Sequence, residues 1–506
     1  MFCLNYYING NDINLILNFK SAINMSQESI ANKTVRTAFW SSIQKFSTMG
    51  ISFVVSMVLA RLLTPEDYGT IALMSVFFAI SGSIAECGFS NALIRKSECT
   101  QADYSTAFFY NVGVSFFLYL MIFLGAPFVA EFYDKPILID VMRVSGLSLI
   151  IGSANMTQSV QLTRKLEFKK FAIIALVASI ISGVVGVTCA YAGMGVWALV
   201  VSSLTGSVIN AVVLILVVRW KPSFSISRDS FGYLWSFGSK MLVSGIISNI
   251  YANIYSIVIG KTYDARTLGI YNRGQSLALL CPDIINSIFN RNTLPILAQL
   301  QNDKKRLIDV YRKLVRLVSF FNIPACLIFA ALARPFILFF LTDKWEVSVI
   351  YVQLFCLSAI TSSAGAINLN IFQAEGRSDI VLKIEVIKKT IGFLLVFSLM
   401  WFNPLILAIG SVTFNFFCYV LNLHYARKLE NMSLFTQISD LAPSFFASVA
   451  AAALTYFVTL LPLSYFCQLL VGGLVGIGAY FIITRFILHM EIYDQVESFV
   501  KARRDK

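Results

Sequence analysis

The chain has 506 residues, of which 57% are hydrophobic and only 13% charged; an ordinary soluble domain carries about 25% charged residues. A mean hydropathy of +0.73 excludes a soluble globule. Apolar runs near 20 residues recur along almost the whole chain without alternation, so each is long enough to cross a hydrocarbon core of about 30 Å as a helix rather than a barrel strand. The net charge of +13 forms no single basic face, which argues against nucleic acid as a partner. Nine cysteines show neither CxxC nor zinc-like spacing, so no disulfide, metal or cofactor is expected.

In chain order, residues 1–36 read as a cytoplasmic tail, with 1–24 upstream of a more typical start at Met25 and its polar leader SQESIANKTVR. About fourteen spans follow, at 38–60, 69–90, 106–128, 138–160, 171–192, 195–218, 233–259, 268–290, 317–337, 347–371, 381–402, 404–424, 441–461 and 466–488. The eighth and tenth are the most interrupted by polar residues. Domain boundaries are drawn at 37–219 and 232–426 for two six-helix bundles, 440–489 for two additional helices and 490–506 for a basic tail. Lysine and arginine orient the set: about 28 fall in the segments on the side of the N-terminus and about 7 on the other, which places both termini in the cytoplasm.

Spans one and seven repeat each other. Trp40-Ser-Ser-Ile-Gln-Lys45 matches Trp235-Ser-Phe-Gly-Ser-Lys240, and Arg61 to Gly69 matches Lys261 to Gly269. Six spans separate the copies, so the halves share one orientation and a pseudo-two-fold axis runs along the membrane normal, with a substrate site at the repeat interface.

Little in the sequence supports catalysis. There are two histidines, His424 and His489, both at expected span ends; there is no DxD pair, no Walker A loop and no long external loop. Polarity at membrane depth stands out instead, and it marks a pathway by default. Lys45, Thr48, Ser52 and Ser56 share one helical face on the first span. Lys240, Ser244, Ser248, Tyr251 and Tyr255 do the same on the seventh, with Asn249 and Asn253 beside them. The bland alternative is that hydroxyls glue helices together and lysines snorkel to headgroups. The eighth span adds Arg273 near its outer end and Arg291 toward its inner end, both suited to two-point contact with a diphosphate. Glu86 and Asp283 are the acids expected inside the bilayer, each a coupling group or a partner for a nearby cation.

The phrases LARLLTPEDYG, GFSNALIRK, LGIYNRGQSL and FNRNTLPILAQLQ resemble the Wzx-type polysaccharide flippases, especially the WzxC-like branch, of the multidrug/oligosaccharidyl-lipid/polysaccharide exporter superfamily. The resemblance implies an all-helical fold of two six-helix bundles around a central cavity plus two C-terminal helices. It implies translocation of an undecaprenyl-diphosphate-linked oligosaccharide across a bacterial cytoplasmic membrane, with membrane lipids as surroundings and a polysaccharide polymerase and other assembly proteins as partners. It also implies cationic cavity residues for the diphosphate, a role carried here by Lys45, Lys240, Arg273 and Arg291. A cation-coupled drug exporter of the same superfamily, a membrane polymerase and an assembly scaffold are the rival readings.

Overall fold

The computed structural model describes residues 45–430, 434–490 and 493. The proposed start at Met25, the tail before it, Trp40 of the repeat and the basic C-terminal tail lie outside them. Among the described residues twelve segments are long and apolar enough to cross a membrane. They comprise α1 (Lys45–Leu62), α2 (Pro65–Glu86) continued by α3 (Phe89–Arg95), α4 (Gln101–Phe132), α5 (Leu138–Ser145) with α6 (Leu147–Arg164), α7 (Phe168–Tyr191), α8 (Val196–Val218) and α9 (Arg228–Thr262). After these come α11 (Lys304–Phe340), α12 (Ser348–Ala359) with α13 (Ser362–Ala374), α15 (Pro404–Glu430), α16 (Leu434–Thr459) and α17 (Tyr465–Ile482).

Two further helices, α10 (Ala265–Gln299) and α14 (Ser378–Leu399), stand where the eighth and eleventh spans were expected. They are long enough to span but too polar to count as apolar windows. The eighth span was anticipated as interrupted. The eleventh was not: Lys383, Glu385, Lys388 and Lys389 crowd its first half. The tenth span is apolar enough but broken at Ile360–Thr361, where Asn322 of α11, fully buried, donates its amide to the carbonyls of Ala359 (2.9 Å) and Ile360 (3.1 Å). Irregular backbone at membrane depth persists only when neighbours satisfy it in this way.

The protein divides into two compact units. Among the described residues the first gathers 45–56, 80–127 and 139–246; the second holds 57–79, 128–138 and those from 247 onward. In the first unit the second span breaks at Cys87 and Gly88, both with positive φ. A Cβ on Gly88 would fall 2.7 Å from that of Met241, and one on Gly238 would fall 2.2 Å from the Cys87 carbonyl oxygen, so α9 passes this break at backbone contact. Arg164, at the end of α6, donates to the carbonyls of Leu93, Lys96 and Ser97 and closes the C-terminus of α3. Lys96 pairs with buried Asp103 at 2.7 Å. Part of the basic charge that orients the chain is thus spent on fastening helix ends.

In the second unit the repeat is visible as geometry. Thr64 and Asp67 cap the start of α2 reciprocally: Thr64 donates its N–H to the Asp67 carboxylate, and its hydroxyl accepts from the Asp67 N–H. At the start of α10 the order is reversed, with the Asp264 carboxylate accepting from the N–H of Thr267 at 2.6 Å. The two helix starts cross. A Cβ on Gly69 would fall 1.6 Å from the Ala265 carbonyl oxygen, and a Cβ on Gly269 would fall 1.9 Å from that of Pro65. Because Pro65 and Ala265 are themselves repeat partners, the contact is self-reciprocal, as a two-fold axis through the crossing demands. Trp345, fully buried, locks the same region by donating its indole N–H to the Ala60 carbonyl at 2.8 Å.

Candidate functional site

Each unit holds a cavity with polar side chains in its lining. In the second unit a cavity of about 480 Å³ lies among α9, α10, α12, α13, α14 and α15. Tyr251 and Tyr255 face it from α9, as the stripe on the seventh span predicts, and Tyr271, Gln275, Phe355, Phe414 and Tyr419 extend a wall of rings and amides. Tyr255 stacks on Tyr271 with centroids 6.4 Å apart, and Tyr271 meets Phe355 edge-on at 5.1 Å. These rings hold each other in place.

Asn415 donates to the Ser358 hydroxyl at 2.6 Å and Asn422 to the Gly365 carbonyl at 3.4 Å. The hydroxyls of Tyr255 and Tyr419 and the Oδ1 of Asn422 are buried with no hydrogen-bond partner. Native interiors rarely leave such atoms unsatisfied, so each is an unused donor or acceptor in the wall of the cavity. Lys388 is the charged residue of the lining. Its side chain is 13% exposed and its ammonium stands 3.4 Å from the more exposed Glu385. The sequence reading missed Lys388 because four charges in the first half of α14 look like a helix end; only packing turns one of them inward.

The first unit holds an open cavity of about 590 Å³ lined by Thr48, Asn155, Ser179, Ser182, Ser203, Ser207 and Asn210. Thr48 was anticipated; the others lie on α6, α7 and α8, whose small residues allow close packing. The Ser202 hydroxyl donates to the Ser182 carbonyl at 2.9 Å, and a Cβ on Gly186 would meet the Ser202 side chain at 2.7 Å.

The remaining anticipated residues are placed as follows. Lys45 and Lys240 belong to the first unit and are exposed, as are Ser52 and Ser244, while Ser56 is half-buried. In the second unit Ser248 is exposed and lies 3.4 Å from the ammonium of Lys389. The amides of Asn249 and Asn253 are directed at backbone, donating to Ala79 O (3.4 Å) and Asn249 O (2.9 Å). Arg291 lies within α10, but its side chain falls outside the described residues. Glu86 and Asp283 are exposed rather than enclosed. Glu86 is the last residue of α2, released by the break at Cys87–Gly88.

Arg273 is placed quite differently from a headgroup ligand. It is 7% exposed, with its guanidinium 5.5 Å from the ring centroid of Tyr68, 5.9 Å from that of Trp345 and 3.8 Å from the Met57 sulfur. In this conformation it is part of the packing beneath the Gly69–Gly269 crossing.

Residues 58–350 match the family model described as "Polysaccharide biosynthesis protein". The lipopolysaccharide biosynthesis protein WzxC of Escherichia coli K12 is 24% identical over 71% of this chain and 74% of its own. The succinoglycan biosynthesis transport protein ExoT of Rhizobium meliloti is 23% identical over 65% of this chain and 66% of its own. In fold, the chain is similar to a solved structure of the lipid II flippase MurJ in an inward closed conformation, with a TM-score of 0.72 at 14% identity, covering 89% of this chain and 98% of that one. With the family match extending over more than half its length, this multi-pass, all-helical chain belongs to the polysaccharide biosynthesis protein family.

Proposed function

We propose that the protein is a flippase that carries an undecaprenyl-diphosphate-linked oligosaccharide from the inner to the outer leaflet of a bacterial cytoplasmic membrane by alternating access, with both termini in the cytoplasm. The observation that carries this reading is the cavity of the second unit. Ring faces suit the C–H faces of sugars, partnerless hydroxyl and amide atoms suit their hydroxyls, and the lining carries a lysine and no acid. Relatives named for lipopolysaccharide biosynthesis and for succinoglycan transport support the same substrate class.

In this reading Lys45 and Lys240 meet the diphosphate near the cytoplasmic surface, and within the second unit the Gly69–Gly269 crossing, with Arg273 beneath it, holds two helix starts together. Transport separates these two helix starts and frees Arg273 from its ring contacts. An inside-negative potential helps negative charge outward by about 2.3 kcal/mol per charge per 100 mV, so export of a diphosphate does not require a coupling ion. A cation-coupled exporter would rely on Glu86 or Asp283, and neither is enclosed.

The test is surface polysaccharide in a strain lacking its own flippase. The Lys45→Ala, Lys240→Ala double variant is expected to insert normally and lose export, while arginine at both positions retains it. Near-normal export by the alanine pair would return both lysines to an interfacial role. Reporters after Lys170 and Lys305 should read cytoplasm and one at Thr342 the outside; the reverse would overturn the orientation.

A further inference from the structure

A second charged cavity of the second unit shares no lining residue with the ring-lined one. It measures about 400 Å³ and is lined by Arg312, Lys313 and Arg316 of α11, Asp440 of α16 and His489 beyond α17. Asp440 is 6% exposed and accepts from both arginines: from Arg312 through two nitrogens at 2.8 Å each, and from Arg316 at 2.6 Å. One carboxylate thus orients two guanidinium forks, and three cations against one anion leave the cavity with an excess of two positive charges. Five N–H groups on each arginine exceed what one carboxylate can accept.

One turn further along α11 the surface changes character. Phe320, Pro324, Ile328 and Leu332 form, with Ile477 and Phe481 of α17, an apolar cavity of about 910 Å³. From Phe320 to Leu332 the groove runs about 18 Å along the helix. Half of a hydrocarbon core is about 15 Å. A basic pocket one helical turn along α11 from an apolar groove about one leaflet deep matches a phospholipid's headgroup and acyl chains. An undecaprenyl chain is far longer than one leaflet and would overrun this groove.

We propose that this face binds an anionic phospholipid of the inner leaflet, with its phosphate held by Arg312, Lys313 and Arg316 and its acyl chains along α11 and α17. Basic pockets between membrane helices are suited to anionic headgroups, and a guanidinium fork matches phosphate oxygens in two-point contact. The site rests on the orientation that puts Lys304 at the cytoplasmic end of α11, and it is independent of the transported sugar.

The experiment uses the full-length protein reconstituted in phosphatidylethanolamine vesicles with and without phosphatidylglycerol, extracted, and weighed by native mass spectrometry for retained lipid. Wild type is expected to retain phosphatidylglycerol over phosphatidylethanolamine. Arg312→Gln, Lys313→Gln, which leaves Arg316 to pair the buried Asp440, should retain about tenfold less because two of the three cations are gone. Lys305→Gln, Arg306→Gln, exposed on the same helix, should retain it normally. If the first variant does not fold, Lys313→Gln alone, which breaks no ion pair among the described residues, should still lower retention about threefold. Unchanged retention in the pocket variants, equal loss in the control, release of the lipid by inorganic phosphate, or its displacement by equimolar undecaprenyl phosphate would each overturn the proposal.

Discussion

The two cavities differ in what their walls are made of. In the first unit Thr48, the serines of α7 and α8 and two asparagines line the space, and serines of the same helices pack closely against Gly186 and Gly206. In the second unit large rings line the cavity together with Lys388 and Gln275, and the hydroxyls of Tyr255 and Tyr419 are buried without a hydrogen-bond partner. Small polar residues in a membrane bring helices together; large ones with polar tips leave room for a guest and something for it to bind. Hydroxyl content alone therefore says little about a transport pathway.

The most severe test lies outside both cavities. Gly69→Val or Gly269→Val puts a Cβ within 2 Å of a backbone carbonyl, so the crossing cannot close as it does here, and export should fall below about a tenth of wild type with insertion unchanged. Accessibility of a cysteine placed at position 68 to a membrane-impermeant thiol reagent would rise in either variant; unaltered labelling and export would show the crossing to be incidental. Within the second cavity, Lys388→Ala should reduce export about tenfold, the worth of a charge-assisted hydrogen bond, and Lys388→Arg should recover part of it.

Smaller again is the effect of Tyr255→Phe. It removes one neutral hydroxyl and keeps the ring, so export should drop about threefold and Tyr255→Ala should do worse; equal defects would mean the hydroxyl, not the ring, carries the contact. Smallest is Ser203→Ala in the first unit, expected to leave export within about twofold. Ser202→Ala should cost about 0.6 kcal/mol of unfolding free energy without touching transport. A large export defect at Ser203 would erase the distinction between the cavities.

The stripe on the seventh span illustrates how far periodicity reaches. Its spacing places Tyr251 and Tyr255 on one face, and both line the cavity. Ser248, Asn249 and Asn253 share the stretch yet contact Lys389 or backbone, because where a side chain ends depends on the neighbouring helix. Arg273 shows the same limit from the other side. A lone arginine near a span end reads as a headgroup ligand, but Tyr68 and Trp345 come from segments about 200 and 70 residues away, and no local pattern announces that they will enclose it.

The sequence by itself determined that the chain crosses the membrane many times as helices, because hydropathy is a sum over local residues and unsatisfied backbone leaves no alternative in lipid. It also determined where the repeat lies, since Gly69 and Gly269 stand in matching phrases. Tertiary structure decided which polar residues were spent and which were kept. Asp440 holds two arginines, Asn322 mends a broken helix, and Lys388 turns into a cavity from a stretch that reads as surface. Such outcomes depend on contacts between helices far apart in the chain, where burial and hydrogen-bond geometry, not composition, set the free energy of each polar group.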